Sequence, residues 1–166
     1  MVRTILKSKV YIETSIIGYL ASGYSRDLIV TSNQMLTRIW WKQQREKFDL
    51  YVSELVAIEL GSGNPKLAEE RLTVIRSLPQ LDLTDEVRKL AQAFVEGGPL
   101  PEKASRDAVH IALATVHRMD YLLTWNCTHI ANAAMQRQLR DIITRCGFEA
   151  PVICTPQELR VGSEGE

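Results

Sequence analysis

Four residues carry oxygen donors at places where a chain could gather them. Glu13 follows the run Val10-Tyr11-Ile12, and Glu59 follows Ser53 by six residues on a short apolar segment. Asp107 opens another apolar segment, and Asn126 follows Tyr121-Leu122-Leu123-Thr124-Trp125. Three carboxylates and an amide are hard ligands that suit Mg²⁺ or Mn²⁺ better than zinc. Converging carboxylates repel, so a cation is the usual reason to gather them. Plainer readings stand beside this one. Glu13 and Asp107 could simply favour the positive ends of helices, and Glu59 could face solvent.

The softer ligands show no comparable pattern. Cys127, Cys146 and Cys154 are spaced like no zinc or redox motif and read as small core hydrophobes. His110 and His117 are seven apart on one expected helix, whereas a zinc pair more often uses four-residue spacing, so both are expected to pack. His129, with Asn126 and Asn132, suggests loop-ordering hydrogen bonds.

The elements that must position these groups follow from the apolar pattern. Residues 9–12, 48–52, 81–83, 121–124 and 151–154 read as short strands, the third of them weak. Helices are expected after Glu13 and over 26–47, 54–60, 65–77, 84–96 and 102–119, with a further one around Met135–Cys146. On the second helix, Leu28, Met35, Leu36, Ile39 and Trp40 fall near helical spacing. The strands alternate little between apolar and polar residues, as in a parallel sheet covered on both faces. Ligands of such sheets bind beyond the C-terminal strand ends where strand order reverses.

The chain has 166 residues, 45% of them apolar, with 20 Lys+Arg against 20 Asp+Glu. That size and apolar content exclude wholesale disorder and suit one domain over residues 1–160, followed by a disordered tail over 161–166. No segment reaches the ~20 apolar residues of a membrane span, and the first residues lack a signal-like apolar stretch, so a cytoplasmic location is expected. Zero net charge provides no general attraction for a polyanion, so RNA would need local cations. Candidates are Lys103 and Arg106 beside Asp107, the Arg38/Lys42/Arg45/Lys47 face, and Arg137, Arg140 and Arg145. Trp40 and Trp41 could stack on bases, although neighbours on a helix cannot share one face.

Four motifs in order, Val10-Tyr11-Ile12-Glu13-Thr14-Ser15-Ile16-Ile17, Ser53 to Leu60 (SELVAIEL), Arg106-Asp107-Ala108-Val109-His110-Ile111-Ala112 and Leu122-Leu123-Thr124-Trp125-Asn126, resemble the PIN-domain family, and within it the VapC-like branch. The resemblance spans about residues 8–158. It implies a three-layer α/β/α sandwich around a short parallel sheet and a Mg²⁺- or Mn²⁺-dependent ribonuclease leaving 5′-phosphates. It further implies a toxin of a toxin–antitoxin pair, with a cognate antitoxin and a homodimer as partners. Glu13, Glu59 and Asp107 would be its metal-binding acids, with Thr14 or Ser15 beside the first.

Two residues depart from that family's pattern. Glu13 stands where Asp is usual and is one methylene longer. Asn126 replaces the fourth acid and brings no charge, although it could position a water. A catalytically weak or inactive PIN-like module that binds RNA or protein is therefore the alternative. A receiver-like flavodoxin fold is a more remote one, since it needs an acidic pair near the first strand.

Overall fold

The computed structural model describes residues 6–162. Five strands form one parallel sheet: β1 (Lys9–Ile12), β2 (Asp49–Ser53), β3 (Gln80–Leu81), β4 (Tyr121–Leu123) and β5 (Val152–Cys154), in spatial order β3-β2-β1-β4-β5. Tyr11 lies opposite Tyr51 on one side and Leu122 on the other. The central strands are buried on both faces: Val10, Tyr11, Ile12, Leu122 and Leu123 expose no surface. This is the sheet that the weak alternation anticipates.

Among the described residues, seven α-helices cover it: α1 (Thr14–Ala21), α2 (Leu28–Gln43), α3 (Glu54–Leu60), α4 (Pro65–Ile75), α5 (Asp85–Val95), α6 (Ser105–Val116) and α7 (Ala133–Arg145). From β1 the chain moves outward through β2 to β3, then returns across the sheet to β4 and β5. Right-handed crossovers therefore place α1–α4 on one face and α5–α7 on the other. The packing agrees, with α1 against α2, α3 and α4, and α5 against α6 and α7. The PIN-like three-layer architecture is the observed one. A flavodoxin-like order, 2-1-3-4-5, would reverse one strand earlier.

Local chemistry sets the helix boundaries. Asp27, Ser53, Asn64, Thr84 and Asn132 each accept backbone N–H groups at a helix start. The Asp27 cap starts α2 at Leu28, two residues later than expected. The helix expected over 102–119 is a 3-10 turn, Glu102–Ala104, followed by α6. After α7, Gly147 takes φ 84°, and the N–H of Phe148 reaches the Ile143 carbonyl at 3.1 Å. That is the reversal that glycine makes without steric cost.

Arg118 makes the same reversal after α6 at φ 56°, with Met119 N–H on the Ala114 carbonyl at 2.9 Å. A side chain there is strained. Arg118→Gly is expected to stabilise the protein by about 0.5–1 kcal/mol after the added freedom of the unfolded chain is subtracted. The readout is a Tm rise of about 1–4 °C.

The face that α2 buries is only in part its apolar stripe. Gln34, Thr37 and Trp40 point inward, whereas Leu28 is 85% exposed, Met35 50% and Ile39 42%. Hydrogen bonding explains the rotation. The Gln34 side chain accepts from Ser25 N–H and donates to the Gly23 carbonyl and Ser22 hydroxyl, and Thr37 Oγ1 accepts from the Trp125 indole at 2.7 Å. Trp40 stacks on Phe48 and donates its indole N–H to the Leu159 carbonyl at 2.6 Å, so it cannot stack on a base. Trp41 is partly buried with Arg45 over its ring.

The cysteines depart from expectation too. Only Cys154 is buried, whereas Cys127 and Cys146 are exposed. Burial, with the Glu158 charge, pushes the Cys154 thiol up to about 12. At the C-terminus, Val161 is bound through its N–H to Gln44 and through its carbonyl to Lys47. Of the tail expected to be disordered, residues 163–166 lie outside the described residues.

Candidate active site

The sheet reverses between β1 and β4, and the sequence-identified residues stand beyond the C-terminal ends of those strands and β2. Glu13 is the residue after β1 and the cap of α1. Its backbone N–H continues the ladder to the Leu123 carbonyl at 3.1 Å, fixing it beside the end of β4. Its Oε2 accepts from Ser15 N–H at 3.1 Å, from the Ser15 hydroxyl, and from the Thr124 hydroxyl at 2.8 Å. The longer Glu side chain thus folds back onto its own helix start, and only 6% of the residue is exposed.

Glu59 lies two turns into α3, the helix that Ser53 caps directly after β2. Its Oε1 accepts from the Thr14 hydroxyl at 2.7 Å and meets His110 Nε2 at 2.6 Å. Both hydroxyls that follow Glu13 are therefore used, each on a different carboxylate. His110 Nε2 also stands 4.0 Å from Glu13 Oε1, so one imidazole nitrogen lies between the two acids.

Asp107 lies in the first turn of α6. Its Oδ1 accepts from the Asn126 amide at 3.0 Å and its Oδ2 meets His129 Nδ1 at 2.9 Å. Asn126 Oδ1 in turn accepts His129 N–H, and Asn126 N–H donates to Thr124 Oγ1 at 2.9 Å. Asn126 therefore braces Asp107 against the loop after β4, with both ends of its amide engaged. His129 orders this loop as expected.

His110 does more than pack, which corrects the expectation for it. It is 1% exposed and bridges Glu59 to the Tyr11 hydroxyl, which lies 2.7 Å from Nδ1. Its position three residues after Asp107, on the same helical face, was the available signal. The His117 side chain, by contrast, meets the Asp82 carbonyl.

The electrostatics follow from these contacts. Burial alone would raise the Glu59 pKa. The hydrogen bond from His110, the Thr14 hydroxyl and the Arg106 charge outweigh it and hold the carboxyl below its usual range. A depressed carboxylate contributes stability that is complete above its ordinary pKa near 4.5 and lost as pH falls through the lower folded value. In metal-free protein, Glu59→Gln should therefore lessen the loss of Tm below about pH 4.5, as read by thermal melts across the acid range.

Lys103 and Arg106 are exposed next to Asp107 and form no ion pair among the described residues. The other basic face is less free. Arg38 lies over Tyr24 and donates to the Ser22 carbonyl, Arg45 lies over Trp41, and Lys47 bonds Val161.

The donor set fits a hard divalent cation in part. Glu13 Oε1 and Glu59 Oε2 accept no hydrogen bond among the described residues, whereas both Asp107 oxygens do. Every fully buried side-chain nitrogen or oxygen among these residues has a partner, so the two free oxygens reach solvent. No three His, Cys, Asp or Glu among the described residues stand together closely enough to enclose an ion. That arrangement suits Mg²⁺, which keeps several waters and commonly takes one or two carboxylates plus substrate phosphate.

No protein-family model and no curated protein matches the chain. Solved structures share its fold. VapC20 of Mycobacterium tuberculosis, a sarcin–ricin loop cleaving toxin, superposes with a TM-score of 0.58 at 14% identity, over 75% of this chain and 95% of that one. A chain of VapBC2 from Rickettsia felis, solved bound to a DNA fragment from their promoter, superposes with a TM-score of 0.57 at 13% identity. That match covers 89% of this chain and 98% of the other. At these identities the likeness is one of fold.

Proposed function

We propose that this protein is a divalent-cation-dependent ribonuclease that hydrolyses RNA phosphodiesters as the toxin of a toxin–antitoxin pair. The observation that carries the reading is the convergence of Glu13 and Glu59 on His110 Nε2, each with one solvent-reaching oxygen free, at the switch point of the sheet. The fold shared with VapC20 and VapBC2 supports it. Glu13 and Glu59 would hold Mg²⁺ or Mn²⁺, and Asp107 would join them through water or through the substrate phosphate.

When bound, the cation lowers the pKa of a ligated water and offsets charge on the phosphate. Glu59 or Glu13 orients the attacking water and accepts its proton. The water oxygen bonds to phosphorus as the bond to the leaving oxygen breaks, that oxygen taking the electron pair. Asn126 keeps Asp107 in place. Lys103 and Arg106 bind flanking phosphates, so binding weakens as salt rises. The test is cleavage of single-stranded RNA by wild-type protein with Mg²⁺ or Mn²⁺ and its loss in EDTA.

Asn126 in place of an acid, and the engagement of both Asp107 oxygens, favour the second reading: a PIN-like module that binds RNA or protein without cleaving. RNA retention with no cleavage at any divalent concentration would decide for it.

Partners follow from the same reading. An antitoxin protein is one, as the VapBC2 pairing suggests. A second copy of the chain is the other, and the exposed stripe Leu28, Met35 and Ile39 on α2 supports it. Large apolar side chains exposed along one helix face commonly mark an interface. Met35→Glu with Ile39→Glu should convert dimer to monomer in sedimentation velocity, with little change in Tm.

A further inference from the structure

The buried Tyr11–His110 pair touches the acids but takes no part in the chemistry described so far, and its hydrogen-bond directions are tightly determined. Ser53 Oγ accepts the Val56 N–H at 3.2 Å as the cap of α3. Its proton is then free to go to the Tyr11 oxygen, 2.8 Å away. Tyr11 in turn has one proton, and His110 Nδ1 lies 2.7 Å from it. Burial, aided by the Glu13 and Glu59 charges and opposed by the Ser53 hydrogen bond, keeps that phenol protonated far above its usual range. An Nδ1 that accepts leaves the proton of a neutral ring on Nε2, where it donates to Glu59 Oε1 at 2.6 Å. Running the chain in the opposite direction would leave the Ser53 proton without an acceptor among the described residues. A neutral ring would then also face a carboxylate with a lone pair.

We propose that His110 is a positioning residue for Glu59. Held as the Nε2–H tautomer by Tyr11 and Ser53, it engages Glu59 Oε1 and leaves Oε2 turned toward a divalent cation. The inference rests on the reading of Glu13 and Glu59 as a cation site. Hydrogen-bond partners of ligating carboxylates restrict their rotamers before the ion arrives, and their loss typically costs about 10–100-fold in metal affinity. Thr14 supplies a second donor to the same oxygen. It is a rotatable hydroxyl near the surface, whereas His110 is rigid and buried.

The experiment is Mn²⁺ titration of RNA-free protein by calorimetry, with circular dichroism as the check on folding. His110→Leu is expected to weaken Mn²⁺ binding about 10–100-fold. His110→Gln, whose amide nitrogen can reach the place of Nε2, should recover most of that loss. Tyr11→Phe keeps the packing but frees Nδ1, so Mn²⁺ binding should weaken and the Nε2–H tautomer signature in ¹⁵N imidazole spectra should diminish. Should His110→Leu not fold, the other two variants carry the test. Wild-type affinity in folded His110→Leu, equal weakening by Leu and Gln, or an Nδ1–H tautomer in wild-type protein would each overturn the positioning role while the cation site stands. No Mn²⁺ binding by wild-type protein would overturn the cation reading, and the inference with it.

Discussion

Glu13→Gln and Glu59→Gln should each lower divalent-dependent RNA cleavage by about 10²–10⁴-fold, the usual range for loss of a positioned acid–base group, without unfolding the protein. The hydrogen bonds explain why these are clean substitutions. Glu13 Oε2 and Glu59 Oε1 each accept the internal donors, and a glutamine oxygen can keep that duty. The amide nitrogen then replaces the free oxygen, removing the charge and the position a cation would use. Asp107→Asn should also fall in activity, but with some loss of stability, because both Asp107 oxygens meet side-chain nitrogens. Initial rates on a single-stranded substrate with Mn²⁺, beside thermal melts in EDTA, separate the two effects. Wild-type cleavage by both glutamine variants would remove Glu13 and Glu59 from the chemistry.

Asn126→Asp tests the departure from four acids, and its expected effect on stability is nearly as large. Asn126 now donates to Asp107 Oδ1 at 3.0 Å. An isosteric carboxylate would place two anionic oxygens at that separation, which a protein tolerates only if one takes a proton or a cation intervenes. The acceptor role toward His129 N–H would survive. In EDTA at neutral pH the variant should therefore lose about 1–3 kcal/mol, the cost of leaving a partly buried polar contact unmatched. Saturating Mn²⁺ should restore most of that loss, giving the variant a larger metal-induced Tm shift than wild type. An equal shift in both proteins would mean that position 126 does not face the cation, and that Asn126 serves only to brace Asp107 and the loop.

Much of the fold is written in local pattern. Apolar runs that scarcely alternate make strands covered on both sides, and Asp27, Ser53, Asn64, Thr84 and Asn132 cap the helices that follow, each through its own side chain. These are interactions among residues a few positions apart, so they can be read along the chain. Glu13, Glu59, Asp107 and Asn126 were legible for the same reason, since each sits at a fixed offset from a strand or a helix start. The inward turn of Gln34 and Thr37 was not legible, because apolar spacing pointed to Leu28, Met35 and Ile39. Only the packing of α2 against the turn after α1 and against Trp125 gives those polar groups partners.

The sequence by itself determined which side chains end up beyond the sheet, because each follows a strand end or opens a helix at a fixed offset. Only the tertiary structure decided how they are shared out. Glu59 and His110 are 51 residues apart and Tyr11 and His110 are 99 apart, and they meet because β2, β1 and β4 are neighbours. That order brings α3 and α6 to one end of the sheet. Glu13 and Glu59 then share a buried histidine while Asp107 turns to Asn126 and His129. The hydrogen bonds made at that meeting point, absent from any local pattern, leave one oxygen each of Glu13 and Glu59, and none of Asp107, without a partner among the described residues.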